Sequence, residues 1–403
     1  MPQYLTIRNL LLVATLLRLA WLLLIDVHPV SDSAAYDQFA ISLLEGRGFA
    51  YENGDLTAFW PVGTSAVYAG LYSLFGRSYL PIELMNLALG LGIVYFSWSV
   101  CRHYFNERIA LLTAGILACW PLLIQFTTVL ASELIFVFLM LLVLWLNIRL
   151  QQQLLSKAVL MGLTIGLACY IRPIIAPFIF ILPILAVIKD RRWARMAAQI
   201  AISLFICAAV ISPWCKRNTE LFGKFTLISA NFGTNFWMGN NPDSSGAYMK
   251  FPERDYGSEK NRDDQLKAEA IEFIRNNPGQ YVLLAVKRLG HTFSRESIGI
   301  VWNRIGVAEH TNEQGIKLLK QFSTLYWYIM LVAAVAGALL CWRRAGWGGI
   351  FFEPLVLTAF FISIPLLTVG QDRYHMPMIP FIACYAAYLL NDWLERSGRL
   401  TAR

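Results

Sequence analysis

Charge is scarce in this sequence. Asp, Glu, Lys and Arg make up only 15% of its 403 residues, and hydrophobic residues make up 57%. A soluble domain carries about a quarter charged residues, so this balance is that of a polytopic membrane protein. Cysteine is present seven times, at 101, 119, 169, 207, 215, 341 and 384, but never as C-x-x-C. That spacing argues against a disulfide framework or a zinc site. There is no glycine-rich nucleotide loop and no Walker-type lysine, which disfavours nucleotide-driven transport. No internal repeat or low-complexity tract occurs. A surplus of cations does occur, 34 Lys and Arg against 26 acids for a net +8. In a membrane chain that surplus reads as the positive-inside bias, so no nucleic-acid partner is expected.

What is abundant is apolar sequence in runs of spanning length. Leu5–Ile25 comes first; no small-residue cleavage site follows it, so it reads as a retained anchor. Tyr79–Tyr104, Ile109–Ile124 and Ala131–Ile148 follow. Leu154–Tyr170 and Ile174–Ile188 form a pair split by Arg172-Pro173, and Ala197–Trp214 is the seventh. Phe322–Trp342, Ile350–Leu367 and Met376–Leu390 complete ten spans. With the N-terminus inside, every inner connection is basic: Arg102/Arg108, Arg149/Lys157, Lys189–Arg195, Arg343/Arg344 and Arg396/Arg399/Arg403. Both termini are therefore expected in the cytoplasm. Three segments result: 1–214 with the first seven spans, a small extracytoplasmic domain over 215–321, and 322–403 with the last three spans and a short tail.

The two long outer regions are 26–78 and 215–321. In the first, Tyr36, Phe39, Ala40, Leu43 and Leu44 recur at helical spacing until Gly46 and Gly48, predicting an amphipathic helix over Ser33–Glu45 on the membrane surface. A second helix is expected over Pro61–Phe75, with proline at its first position. In the other region, Asp263–Arg275 and Pro278–Phe293 read as helices.

Ionisable residues gather at the outer ends of these spans. Asp32 follows the first, Glu133 opens the fourth, Arg172 divides the fifth from the sixth, Lys216 and Arg217 follow the seventh, and Asp372-Arg373-Tyr374-His375 opens the tenth. Carboxylates and guanidiniums at headgroup depth suit chemistry on an anionic lipid-linked group, because Arg holds phosphate bidentately and stays charged. Each residue also has a structural alternative. Arg172 can snorkel to the headgroups, Glu133 can sit on a helix N-terminus, Asp32 can cap the helix that follows it, and His375 can serve as a structural hydrogen-bonding group.

Seven motifs in order carry a family resemblance: SDSAAYDQFAISLLEGRGF, WPVGTSAVYAGLYSLFG, ASELIFVFL, YIRPIIAPF, SPWCKRNTELFGKF, FWMGNNP and DRYHMPMIPF. Together the chain resembles the GT-C membrane glycosyltransferases, in the bacterial branch related to protein O-mannosyltransferases and the lipid A aminoarabinose transferase. The resemblance implies an all-α GT-C fold with about ten transmembrane helices, outer-face juxtamembrane helices and a reduced outer domain. It departs in the first loop, where relatives often carry an adjacent acidic pair. Here Ser33 follows Asp32, and Asp37 lies a turn on.

The implied activity is inverting transfer of a sugar from a polyprenyl phosphate to a glycan, lipid or protein acceptor outside a bacterial inner membrane. The absence of any N-x-S/T sequon from the outer segments fits that setting. On the matched motifs, Asp32 is implied as general base with Glu133 as its acidic partner. Arg172, Arg217, Arg373 and Lys216 are implied to hold the donor phosphate. Tyr36, Asp37, Trp60, Asn218, Asn240, Tyr374 and His375 are expected to line the substrate. No metal or cofactor is required on this reading, although a divalent cation bridging Asp32 or Glu133 to the phosphate stays open. Membrane lipids are the remaining expected partners. An O-antigen ligase or polymerase would share the outer arginines without needing Asp32. A flippase or transporter would put charge at mid-membrane, where these spans carry almost none.

Overall fold

The computed structural model describes residues 6–346 and 353–397. The expectations at Leu5, Ile350, Arg399 and Arg403, and at the Lys189 side chain, lie outside what is described. In order, the chain forms α1 (Ile7–Leu24), α2 (Asp32–Leu44), α3 (Gly63–Phe75), α4 (Leu80–Tyr104), α5 (Glu107–Ala118) and α6 (Pro121–Gln125). Then come α7 (Glu133–Arg149), α8 (Leu154–Cys169), α9 (Phe178–Asp190) and α10 (Trp193–Phe222). Between α10 and the next long helix lie α11 (Phe232–Gly239), α12 (Glu259–Asn276), α13 (Pro278–Phe293), α14 (Ile298–Trp302) and α15 (Arg304–Ala308), the segment expected from the sequence as an outer domain. α16 (Glu313–Ala345), α17 (Glu353–Leu367) and α18 (Ile379–Arg396) complete the fold. Among the described residues there is no strand, only an isolated bridge between Ala50 and Leu56.

Local chemistry sets several of these boundaries. Asn106, Ser258 and Asn312 each accept from the amide three residues on, at 2.9, 3.1 and 3.0 Å, which satisfies donors that a helix start leaves open. α5 stops before Pro121, whose missing N–H cannot continue the ladder. The carbonyl of Ala118 left open there accepts from Arg18 at 3.2 Å, and the same guanidinium reaches Ala14 at 3.1 Å. Arg18 is thus a fully buried cation inside the first span, spent on a helix end.

Each of the ten apolar runs contains a helix. Five of them, α1, α4, α8, α10 and α16, are long and apolar enough to cross a membrane, and α5–α6, bent by 54°, makes a sixth if the pair is one span. α9 and α17 are shorter, and α18 ends in Asp392, Glu395 and Arg396. The protein is a multi-pass membrane protein. α7 is its central helix: Leu134, Phe136, Val137, Met140, Leu141, Val143 and Leu144 are all buried, the pattern of a helix apolar all round. It packs on α4, while α8 pairs with α10 and α16 with α18. The α8–α10 pair closes at Gly162, where a Cβ would lie 2.7 Å from the Ser203 carbonyl oxygen, so only glycine lets the backbones approach this closely.

α10 runs without interruption through Pro213 to Phe222, eight residues beyond the expected end of the seventh span, so the expected boundary at 214 falls inside one helix. The 215–321 segment shares a small core with the C-terminal segment, Trp237 and Met238 of α11 packing on Leu266 and Ala270 of α12 and on Val369. Buried Arg288 ties it down, donating to the Gly239 carbonyl at 2.5 Å, Asn240 Oδ1 at 2.9 Å and the Leu366 carbonyl at 2.6 Å.

Candidate active site

Asp32 is the first residue of α2. Ser31 before it holds a φ of 54°, a region that costs a residue with a side chain on the order of 1–3 kcal/mol. Ser31 makes no capping bond, and the Asp32 carboxylate does not take the capping role available to it from the sequence. Its Oδ2 instead stands 2.7 Å from Arg373 Nη1. The same Nη1 is 3.6 Å from Glu133 Oε1. Glu133 begins α7, where the positive end of the helix favours a carboxylate, and it also pairs with Arg172. The Arg172 Nε donates to Ser132 Oγ at 2.9 Å, and the Tyr36 hydroxyl reaches the same Oγ at 3.4 Å. Two carboxylates and two guanidiniums, drawn from α2, the start of α7, the α8–α9 turn and the 3-10 turn Asp372–Met378, therefore form one charge-balanced cluster.

Its members differ in access. The Glu133 side chain is 2% exposed and its Oε2 has no partner, whereas the Asp32 side chain is 25% exposed. Among the described residues Asp32 Oδ1 makes no hydrogen bond. Arg373 is held from below by the Trp302 ring, 5.0 Å from its guanidinium carbon, and from the side by Gln371 Oε1 at 2.8 Å. Burial opposes its charge, but Asp32 and Glu133 outweigh burial and raise its pKa above the ordinary value. Burial, then the negative charge of Asp32, pushes the Tyr36 phenol up to about 12, so Tyr36 enters the site as a neutral donor.

Arg172 is placed by its neighbours in space. The Tyr170 carbonyl accepts from the Gly63 amide at 2.8 Å, and a Cβ on Gly63 would lie 2.6 Å from that oxygen. α3 begins at Gly63 with Val62 as its N-cap, two residues after the proline the sequence suggested, and this tertiary bond satisfies an amide that a helix start leaves open.

The other expected site residues, Tyr374 excepted, stand apart from the cluster. Arg217 donates to the Thr57 carbonyl at 2.6 Å and the Phe49 carbonyl at 3.3 Å, with its guanidinium 4.7 Å from the Trp214 ring centroid; it fastens the first outer loop to α10. Lys216 is exposed and 3.8 Å from Glu220. Asn218, fully buried, donates to the carbonyls of Leu227 and Ile228. Asn240 lies buried in the Arg288 tie. Trp60 packs on Phe39 and Phe59. Asp37 accepts from the hydroxyls of Tyr72 and Tyr79. Tyr374 packs against the small core around Trp237 and flanks Arg373, whose guanidinium carbon is 5.8 Å from its ring. His375 is fully buried, stacked on Trp327 at 4.0 Å, with Nδ1–H donating to the Thr292 carbonyl at 2.8 Å.

Beneath the cluster lies a group the sequence did not flag. Glu296 is completely buried; its Oε1 accepts from Trp120 Nε1 at 2.9 Å and lies 3.3 Å from His375 Nε2, and its Oε2 is without a partner. Burial pushes its carboxyl up, against the pull of His375 and Trp120. A glutamate next to Arg295 in a polar stretch carries no sequence signal of such a place.

The pair Asp32 and Glu133 is where a divalent cation would be sought. Among the described residues no group of three His, Cys, Asp or Glu side chains converges, and the Arg373 guanidinium occupies the space between the two carboxylates. The residues present do not fit a divalent ion there.

Solved structures place the architecture. The oligosaccharyltransferase of Archaeoglobus fulgidus in its apo form is similar over 100% of this chain, with a TM-score of 0.58 at 16% identity. The fold is GT-C. The same enzyme tethered to an acceptor peptide matches at a TM-score of 0.56 and 14% identity over 99% of the chain. The chain spans about half the length of these structures, 52% and 50%. ArnT from Cupriavidus metallidurans bound to undecaprenyl phosphate is similar over 96% of this chain and 78% of its own, at 15% identity; its TM-score of 0.48 adds nothing to the assignment. Residues 60–215 match the family described as dolichyl-phosphate-mannose-protein mannosyltransferase. That stretch of the GT-C fold carries Glu133 and Arg172, while Asp32 and Arg373 lie outside it. No curated protein sequence matches the chain.

Proposed function

We propose that this chain is an inverting glycosyltransferase that moves a sugar from a polyprenyl phosphate to an acceptor hydroxyl or amine at the outer face of a bacterial inner membrane, with both termini in the cytoplasm. The observation that carries the reading is the state of Asp32: Oδ2 lies 2.7 Å from Arg373 Nη1, the side chain is 25% exposed, and among the described residues Oδ1 makes no hydrogen bond. A base must be held in one orientation and still offer a lone pair within reach of the proton it takes.

In the proposed step the acceptor O–H or N–H gives its proton to Asp32 Oδ1. The acceptor atom forms its bond to C1 of the sugar as the bond from C1 to the phosphate oxygen breaks on the opposite face. The electron pair stays with the phosphate, which gains one negative charge. Arg373 is the cation best placed to meet that charge, and Arg172 holds Glu133 in position. The donor class is supported by the GT-C fold and by the matched mannosyltransferase segment. An acceptor outside the lipid is supported by the peptide held in the similar oligosaccharyltransferase.

The test is turnover by the purified full chain with a panel of undecaprenyl-phosphate sugars, reading released undecaprenyl phosphate. Asp32→Asn is expected to lower turnover by at least about a hundredfold with donor binding retained. Near wild-type turnover in that variant removes the base assignment.

A further inference from the structure

The arginines of the cluster are already spoken for. Arg172 and Arg373 each face carboxylates, so the four charged groups sum to zero. Arg217 is bound to two carbonyls of the first loop, and Lys216 points into solvent beside Glu220. A lipid phosphate that docks before reaction needs cations that are not neutralised by the protein. One such set borders Asp372, the residue next to Arg373.

That set lines a cavity of about 600 Å³ between the segment 295–301 and the outer end of α16. Its cations are Arg295, Lys317 and Lys320, and its lower part carries Leu325 and Tyr328. On α16, Lys317, Lys320, Thr324 and Tyr328 follow one another at spacings of three or four, so they form one stripe along the helix. The stripe is basic at the headgroup end and apolar or amphipathic toward the membrane. Ile298 and Val301 form the facing wall from α14, and the next residue of that helix, Trp302, lies under the Arg373 guanidinium. The same short helix therefore serves as cavity wall and as support of the reactive cluster.

The one acid in this cavity is largely satisfied. Asp372 Oδ2 accepts from the Ser297 amide at 3.3 Å and the Ser297 hydroxyl at 3.1 Å, and its side chain is only 7% exposed. Arg295 Nε is 3.7 Å away, and the Arg295 side chain is 66% exposed. Three cations against one buried carboxylate leave a surplus of two positive charges. Snorkelling explains lysines at the end of a spanning helix. It does not explain an arginine from another segment turned to the same cavity, nor an apolar floor that continues down the membrane-facing side of α16.

From this geometry we infer that the cavity between Arg295 and the Lys317–Lys320 stripe docks the phosphate of the polyprenyl lipid, with the isoprenoid chain running down past Leu325 and Tyr328. The inference rests on the proposed transferase reading for its choice of lipid. It assigns the resting phosphate to these three side chains and leaves to Arg373, which follows the cavity-lining Asp372 in the chain, the charge that develops during transfer. The surplus of two charges suits the product, since a phosphate monoester carries about −1.5 to −2 at neutral pH.

The experiment measures binding without sugar, on the purified full chain in nanodiscs of zwitterionic lipid, with undecaprenyl phosphate as the probe. Lys317→Gln/Lys320→Gln is expected to weaken binding by at least about tenfold, the effect of losing one or two charge-assisted hydrogen bonds, and Arg295→Gln to act in the same direction. Lys317→Arg is expected to retain binding, which separates loss of charge from misfolding. Undecaprenol is expected not to compete. Unchanged affinity in the double variant overturns the assignment. So does displacement of the probe by equal concentrations of phosphatidylglycerol, which would make the cavity a general anionic-lipid site, or by inorganic phosphate, which would make it a site for the free ion. Lysine-dependent binding in a protein that turns over no donor sustains the cavity and removes the transferase reading. Loss of transfer in Asp32→Asn, with binding indifferent to the lysines, does the reverse.

Discussion

Arg373 Nη1 stands 2.7 Å from Asp32 Oδ2, joining the last outer turn of the chain to the first. This pair makes the carboxylate a held group with one free oxygen, and it distinguishes the two residues experimentally. Arg373→Ala removes the partner of Asp32 and one of the two partners of Glu133, which is itself buried. Breaking a buried pair costs about 3–5 kcal/mol; Arg172 remains on Glu133, so the loss is expected at the lower end of that range. Arg373→Ala should therefore lower both Tm and turnover, whereas Asp32→Asn should lower turnover with a smaller change in Tm. Thermal unfolding of the two variants side by side checks this.

Gly63 is a structural position with a functional consequence. A Cβ there meets the Tyr170 carbonyl oxygen at 2.6 Å, and the clash is with backbone, which cannot rotate away. Gly63→Ala is expected to cost about 1–3 kcal/mol and to reduce turnover by shifting the turn that carries Arg172. A variant with unchanged Tm and unchanged activity would show that the contact does not position the arginine.

Arg217 is expected to behave as a fastener of the first loop. Its bonds to the carbonyls of Thr57 and Phe49 are charge-assisted, worth about 1.5–3 kcal/mol each. Arg217→Ala should lower Tm, and undecaprenyl phosphate affinity should stay near wild type. A loss of affinity without loss of stability would return Arg217 to the phosphate.

Tyr36 gives a pH signature. Its pKa is pushed from 10.0 to about 12, so the folded protein keeps a proton that the unfolded chain gives up. The stability it contributes is complete below pH 10 and is lost as pH rises from about 10 to about 12, by at most about 1.4 kcal/mol per pH unit. Other tyrosines also titrate there, so the measurement is the difference between wild type and Tyr36→Phe. The variant is expected to lose stability less steeply across that window.

Arg373 lies where a bridging cation would sit between Asp32 and Glu133. Turnover is accordingly expected to be unchanged by EDTA. Loss on chelation with recovery on adding a divalent ion would mean that the guanidinium gives way to metal in the working enzyme.

The membrane character and the all-helical build were determined by the sequence alone. Run length, proline position and basic flanks are local properties, and helix formation in an apolar setting follows from them directly. α13 begins and ends where Pro278 and Phe293 said it would. Pairing was a different matter. Four cations were in view at the outer ends of the spans, each with a side chain long enough to reach several partners. Only packing decided that Arg373 and Arg172 turn inward to Asp32 and Glu133 while Arg217 turns to two carbonyls. The Gly63 amide found its acceptor in the carbonyl of Tyr170, a residue distant in sequence. Glu296 was illegible for the same reason: nothing local separates a solvated glutamate beside Arg295 from one buried under His375 and Trp120. The sequence set which helix end carries each charge, and the crossing of distant helices set its partner.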